Sequence, residues 1–399
     1  MIFLSYWYLI FVAISLPLYW VVPTPRAKQI VLLAACVAFY VHFAGGWVAT
    51  IPILFLGVIT YLCGLSGKRS LCIGAIVLCV ASLVFYKYTL FLASEFLRTF
   101  APTYTEGILQ QLNPILPTVA PLAISFFVFE FVHYLVDVLK GNYSITSPLQ
   151  FALFGLFFPS LVAGPIKRYE DFIPQIQKPI RPTGAIMVYG TVRIAVGLVK
   201  KLIADNLTIY LNFWDKQFET VDLQWRWLFL LMIATRIYLD FSGYSDMAIG
   251  YAQWLGVKLP ENFNFPYIAS NLRDFWQRWH ISLSTWIRDY IYIPLGGNRH
   301  GTARKIMNAI IAFGLCGLWH GAGWNFLAWG LWHGFGLAVS SNYKTVMGFA
   351  GAKLHGGLEA VPFIGWAITF LYVSFGWLLF FYPIDRAWTM AKLLLGVSS

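Results

Sequence analysis

Two histidines carry most of the chemistry this chain has to offer. His320 lies in Gly317-Leu-Trp-His-Gly-Ala-Gly323, a single imidazole within an apolar, tryptophan-rich run. An ionisable group at membrane depth is costly, so it faces a bundle interior or a water-filled path and by default carries function. His280 lies in Asn271–Tyr290, where Trp276, Trp279, Leu283, Trp286, Ile287 and Tyr290 recur at helical spacing. That spacing predicts one apolar helix face, with His280 on its border beside Arg273, Gln277, Ser284 and Arg288. Histidine titrates near neutrality and so suits removal of a proton from a hydroxyl as it attacks an activated acyl group. A serine elbow, a Walker loop, a dinucleotide fingerprint and a His-Glu-x-x-His pair are all missing from the sequence.

Other polar residues read as support. Asp240, Tyr244 and Asp246 close an apolar span, and buried carboxylates need donors. Pairing with Arg273, Arg278 or Arg288 would let them hold the following helix as a structural polar cluster, the favoured reading over one in which they help shape an acceptor site. Cys316 stands one turn before His320, where a nucleophile is conceivable, although packing accounts for it better. The five cysteines show no metal-ligand spacing. Leu-Trp-His-Gly recurs at Leu331–Gly334, thirteen residues on. On a continuous helix that spacing turns His320 and His333 to different faces, so no metal site is expected.

The elements that must position these groups are membrane spans. Of the 399 residues 59% are hydrophobic and 11% charged, against roughly 25% charged in soluble domains. Runs near the ~20 residues needed to cross the hydrocarbon core are Ile2–Val22, Ile30–Ala44, Trp47–Leu65, Leu71–Leu92, Val119–Leu139, Trp227–Met247 and Val361–Tyr382. Leu149–Ile166 is short and holds Pro159, Gly164 and Pro165, which predicts a segment that enters the bilayer and returns. Gly184–Val199 is a further short run, and Met307–Val339 is too long for one span. A break at Gly321 and Gly323 would leave His320 at a helix end, with Asn325 near enough to serve the freed backbone groups.

The formal charge of +11 is scattered over short loops, which argues for positive-inside topology rather than nucleic-acid binding. Arg26, Lys28, Lys68, Arg69 and Lys140 mark the cytoplasmic side, and Ala93–Thr118, with Glu95, Arg98 and Glu106, the outer one. No basic stretch precedes the first apolar run and no small-residue cleavage signal follows it, so that span is expected to be retained. Residues 1–118 read as scaffold spans, 119–340 as a catalytic core with re-entrant elements, and 341–399 as a C-terminal span, all within one membrane domain.

A set of motifs then resembles the membrane-bound O-acyltransferase superfamily, in particular its bacterial polysaccharide-acetylating branch. These are Pro121-Leu-Ala-Ile-Ser-Phe-Phe, Phe158-Pro-Ser-Leu-Val-Ala-Gly-Pro-Ile, Asp240-Phe-Ser-Gly-Tyr-Ser-Asp-Met-Ala-Ile-Gly, Leu259-Pro-Glu-Asn-Phe, the stretch from Phe275 to Tyr290, Ile293-Pro-Leu-Gly-Gly-Asn-Arg, and Leu318-Trp-His-Gly. The resemblance implies an all-α polytopic protein, about 9–11 spanning helices in a ring around re-entrant and interfacial ones, with a tunnel between the two faces. It places the family's central histidine at His320 and the second histidine of the bacterial branch at His280. D-alanyl-transferring relatives share both histidines, while Ile293–Arg299 looks more like the acetylating branch. Glu130 and His133 depart from the less polar residues expected after Pro121.

The implied activity moves an acetyl group from a cytoplasmic thioester to a hydroxyl of an extracytoplasmic polysaccharide. Acetyl-coenzyme A is the simplest donor, as a substrate, with no bound cofactor. His320 would be the general base and His280 would orient or polarise a reacting partner. Arg288 with Asp289 would fix the helix that carries His280, and Trp279, Trp319, Trp324 and Asn325 would line the path. Partners would be the bilayer, the donor, a glycan and an outer-side acetyltransferase protein, and the location the bacterial inner membrane. Transfer of D-alanyl or another acyl group to a cell-wall polymer or lipid is the enzymatic alternative. A transporter of acyl donor or lipid that performs no chemistry is the other.

Overall fold

Long apolar runs in lipid must satisfy every backbone group internally, which leaves the helix as the local solution. The computed structural model describes residues 3, 5–112 and 120–397, and every regular element among them is helical. The chain divides into two compact units, Met1–Ala195 with Asp246–Pro260, and Val196–Ser245 with Glu261–Ser399.

The first unit begins with α1 (Tyr6–Val21), α2 (Pro25–Ala44), α3 (Trp47–Ser66) and α4 (Arg69–Phe91). Thr24 caps α2 by accepting from the Ala27 amide at 3.2 Å, with Pro25 in its first turn. Lys28 reaches back to donate to Val22 O at 2.7 Å, fastening the end of α1. A π-helical turn at Leu92–Phe96 carries α4 into α5 (Leu97–Phe100), followed by α6 (Pro102–Leu112). The expected outer segment is thus helical as far as Leu112. Its end, the expected division at 118–119 and the start of the first expected span at Ile2 lie outside the described residues.

Next come α7 (Ile124–Leu139), α8 (Pro148–Leu156) and α9 (Tyr169–Gln177). The segment predicted to enter and return is the nine-residue α8 and an irregular stretch after it, in which Phe157, Phe158, Ser160, Leu161, Ile166 and Lys167 are buried. Irregular backbone of this kind is tolerated in a membrane protein because protein covers it. Lys167 pairs with Glu130 at 2.5 Å, so the carboxylate on α7 has a buried partner.

Two helices of 32 residues, α10 (Gly184–Asp215) and α11 (Leu223–Trp254), supply the next ion pairs. In the second unit Asp240 pairs with Lys201 and, at 3.6 Å, with Arg236; in the first, Asp246 pairs with Arg193 at 2.6 Å. This corrects the expected pairing with Arg273, Arg278 or Arg288. Arg278 binds Asp274, its own neighbour one turn away, and Arg288 binds Asp289. The carboxylates therefore clamp α11 to α10 rather than to the helix that follows.

The second unit continues with α12 (Leu272–Arg278), α13 (Ile281–Ile287), a π-helical turn at Arg288–Tyr292, α14 (Gly301–His320), α15 (Trp324–Ala360), α16 (Pro362–Phe381) and α17 (Ile384–Leu394). The single amphipathic helix predicted over Asn271–Tyr290 is in fact two, because the backbone breaks at His280. Its aromatic stripe is buried in protein, with Trp276, Trp279, Leu283, Trp286 and Ile287 all enclosed. Among the described residues four helices are long and apolar enough to cross a membrane, namely Pro25–Ala44, Trp47–Ser66, Arg69–Phe100 and Pro362–Phe381.

Candidate functional site

The site is built where two breaks in helical backbone meet. His320 is the last residue of α14, and Gly321 after it is extended. Gly321 has to be small because a Cβ there would run into the Phe326 ring. One turn earlier Gly317 faces Gly330 of α15, each lacking the Cβ that would collide with the other helix, so α14 and α15 cross closely. The half-buried His320 ring is then walled by Trp319 at 4.8 Å, by Trp329 of α15 at 5.0 Å and by Phe380 of α16 at 5.2 Å.

His280 occupies the second break, in the left-handed region at φ 43° and ψ 55°. A non-glycine residue held there is strained by roughly 1–3 kcal/mol and persists only where its surroundings over-determine it. Asn262 supplies that constraint. Its Oδ1 lies 3.1 Å from His280 Nδ1 and accepts from the Ser282 amide at 3.2 Å and from Ser282 Oγ at 2.8 Å. Its carbonyl takes the Ile281 amide at 3.0 Å, and its Nδ2 donates to Ser245 Oγ at 3.2 Å.

This network assigns the tautomer. The Ser282 amide can only donate, so the Asn262 atom facing it is oxygen, and His280 Nδ1 must carry the proton it shares with that oxygen. The lone pair of neutral His280 is left on Nε2, which is buried without a hydrogen-bond partner. Burial pushes the His280 pKa well below its ordinary value, and nearby His320 pushes it further the same way. The Phe241 ring stands edge-on at 4.6 Å, and Trp319 lies 6.4 Å from His280 while touching His320. A neutral acceptor and a second imidazole thus share one aromatic wall.

Of the residues expected at the site, His280, Trp319 and His320 come together. Trp279 packs into the aromatic core against Phe263 at 5.1 Å and Trp377 at 4.9 Å. Arg288 and Asp289 form an ion pair at 2.8 Å with Arg288 largely exposed, next to the end of α13. Trp324 is exposed. Asn325 donates to Leu379 O of α16 at 3.3 Å, so its amide ties two helices instead of serving the break, although its Oδ1 lies against Gly323. Asn262, Trp329 and Phe380 were missed as site residues. Asn262 was legible only as part of Leu259-Pro-Glu-Asn-Phe, with no hint of what it would hold.

Two helix breaks thus bring two histidines together in an apolar chain that is helical throughout its regular elements among the described residues. Residues 88–383 match the membrane-bound O-acyltransferase family, and the chain belongs to it. It is a membrane acyltransferase. A probable alginate O-acetylase of Azotobacter vinelandii is 36% identical over 397 residues, covering 96% of this chain and 75% of that protein. A peptidoglycan O-acetyltransferase of Helicobacter pylori is 35% identical over 344 residues, 78% of this chain and 62% of its own length. A teichoic acid D-alanyltransferase of Bacillus subtilis is 32% identical over 222 residues, 52% of this chain and 56% of that one.

Proposed function

We propose that this protein transfers an acetyl group from a cytoplasmic thioester, acetyl-coenzyme A, to a hydroxyl of an extracytoplasmic polysaccharide across the bacterial inner membrane. The observation that carries this is the pairing of His320 at a helix end with a second imidazole whose only unengaged nitrogen is a lone-pair acceptor. His320 takes the proton of the attacking hydroxyl. His280 Nε2 accepts a hydrogen bond from a reacting group and so orients it; the tautomer leaves no proton there with which to polarise a carbonyl. The names of the alginate and peptidoglycan relatives support an acetyl donor and a glycan acceptor. An outer-side partner protein that presents or receives the acetyl group completes the reading.

Similarity to teichoic acid D-alanyltransferases favours D-alanyl transfer as the second reading. The test is transfer of labelled acetyl groups from acetyl-coenzyme A to candidate glycans by the protein in membranes. The His320→Ala variant, expressed and folded, is expected to lose transfer by at least about a hundredfold, the lower range for a general base. Undiminished transfer by that variant overturns the role of His320, whereas labelled donor that crosses the membrane with no glycan labelled by the unaltered protein selects the transporter without chemistry. Labelling from a D-alanyl carrier but not from acetyl-coenzyme A selects the second reading.

A further inference from the structure

The second Leu-Trp-His-Gly, at Leu331–Gly334, has no part in the proton transfer assigned to His320. Its histidine is fully enclosed. His333 is 0% exposed, and neither of its ring nitrogens has a hydrogen-bond partner. Buried polar atoms are nearly always paired, and each exception calls for a reason. Around His333 stand Trp329 at 5.0 Å, Trp276 at 5.2 Å, Tyr372 and Trp377 at 6.2 Å and Phe275 at 6.3 Å. Gly376 brings α16 against the same ring, since a Cβ there would stand 3.0 Å from His333 Nε2.

Trp329 and His333 are four residues apart on α15 and so share one face. Trp329 is 1% exposed, its indole N–H also lacks a partner, and its ring meets His320 at 5.0 Å with the planes 86° apart. One indole therefore touches both imidazoles. Packing alone would be served as well by an apolar side chain, without two unpaired nitrogens in the core.

We propose that His333 is a positioning residue for acyl transfer: held by the aromatic wall and by α16 at Gly376, it fixes Trp329, whose edge-on contact sets the direction of the His320 ring. The proposal rests on His320 being the base.

The test compares His333→Gln, Trp329→Phe and the double variant in liposomes supplied with labelled acetyl-coenzyme A and a glycan acceptor that the unaltered protein uses. Each single change is expected to lower kcat by about tenfold or more, with both KM values within about twofold and the melting temperature kept. Because the two residues act in series, the double variant is expected to be no slower than the slower single, the non-additivity of residues in contact. Unchanged kcat in His333→Gln overturns the proposal, as does a double variant in which the two losses multiply. So does a loss of rate matched by loss of folded protein in both His333→Gln and His333→Asn. His320→Ala, run alongside, separates the two readings. Activity in that variant overturns the base itself, whereas its inactivity with a normal His333→Gln overturns only the positioning role.

Discussion

At the scale of single residues, Asn262 matters as much as the histidine it holds. Removing its side chain leaves the His280 Nδ1–H without an acceptor and a left-handed backbone without its restraint. Loss of such a buried partner costs about 1–3 kcal/mol, so Asn262→Ala is expected to slow transfer by roughly 10- to 100-fold, read as kcat on protein that still elutes as a single species. The protonation of His280 gives a second expectation. Its folded pKa lies well below the ordinary histidine value, so below about pH 6.5 the unfolded chain binds a proton that the folded chain refuses. The stability contributed by the neutral ring is complete above that pH and is lost as the pH falls. Melting temperature in detergent is expected to drop from pH 7.5 to 5.5, and His280→Asn to flatten part of that slope. An equal slope in the variant refutes the assignment. The sequence made His320 visible because an imidazole in an apolar run has few reasons to be there, and His280 because it borders an apolar stripe at helical spacing. It hid their geometry, because the turn at His280 is imposed by Asn262, eighteen residues away, and helical spacing alone reads straight through it.

At the scale of elements, the crossing of α14 and α15 places His320. The glycine after His320 signalled the break, and the structure has it between His320 and Trp324. The choice of ion-pair partners was less legible. Asp240 and Asp246 announced that donors were needed, but α10, which supplies Lys201 and Arg193, is distant in sequence. Close crossing demands Gly317 and Gly330, because a Cβ on Gly330 would overlap the Phe313 carbonyl and crowd Gly317. Gly330→Val is therefore expected to overpack the crossing, at a cost of about 1–3 kcal/mol, and to displace His320. Gly184→Ala, at the start of α10 with open space around it, is the control expected to change neither folding nor rate. Thermal melting and transfer assays on the pair would tell them apart, and a Gly330→Val protein as stable and active as the control would show that the crossing is looser than its geometry requires.

At the scale of the whole molecule, the remaining question is which way the chain runs through the bilayer. The 20 residues of α2 and of α3 each rise about 30 Å at 1.5 Å per residue, close to the hydrocarbon thickness. The turn that joins them, Gly45–Gly46, carries no charge, whereas Arg26 and Lys28 lie at the far end of α2 and Lys68 and Arg69 at the far end of α3. Short loops with excess Lys and Arg stay in the cytoplasm, and a hairpin of two spans must return its ends to the same side. Both basic loops are therefore expected inside and Gly45–Gly46 outside. The Cys-reduced protein carrying Gly46→Cys is expected to react with a membrane-impermeant maleimide on intact cells, and the protein carrying Lys68→Cys only after permeabilisation. The reverse pattern would overturn the orientation read from the basic loops, because it would place Arg26, Lys28, Lys68 and Arg69 outside.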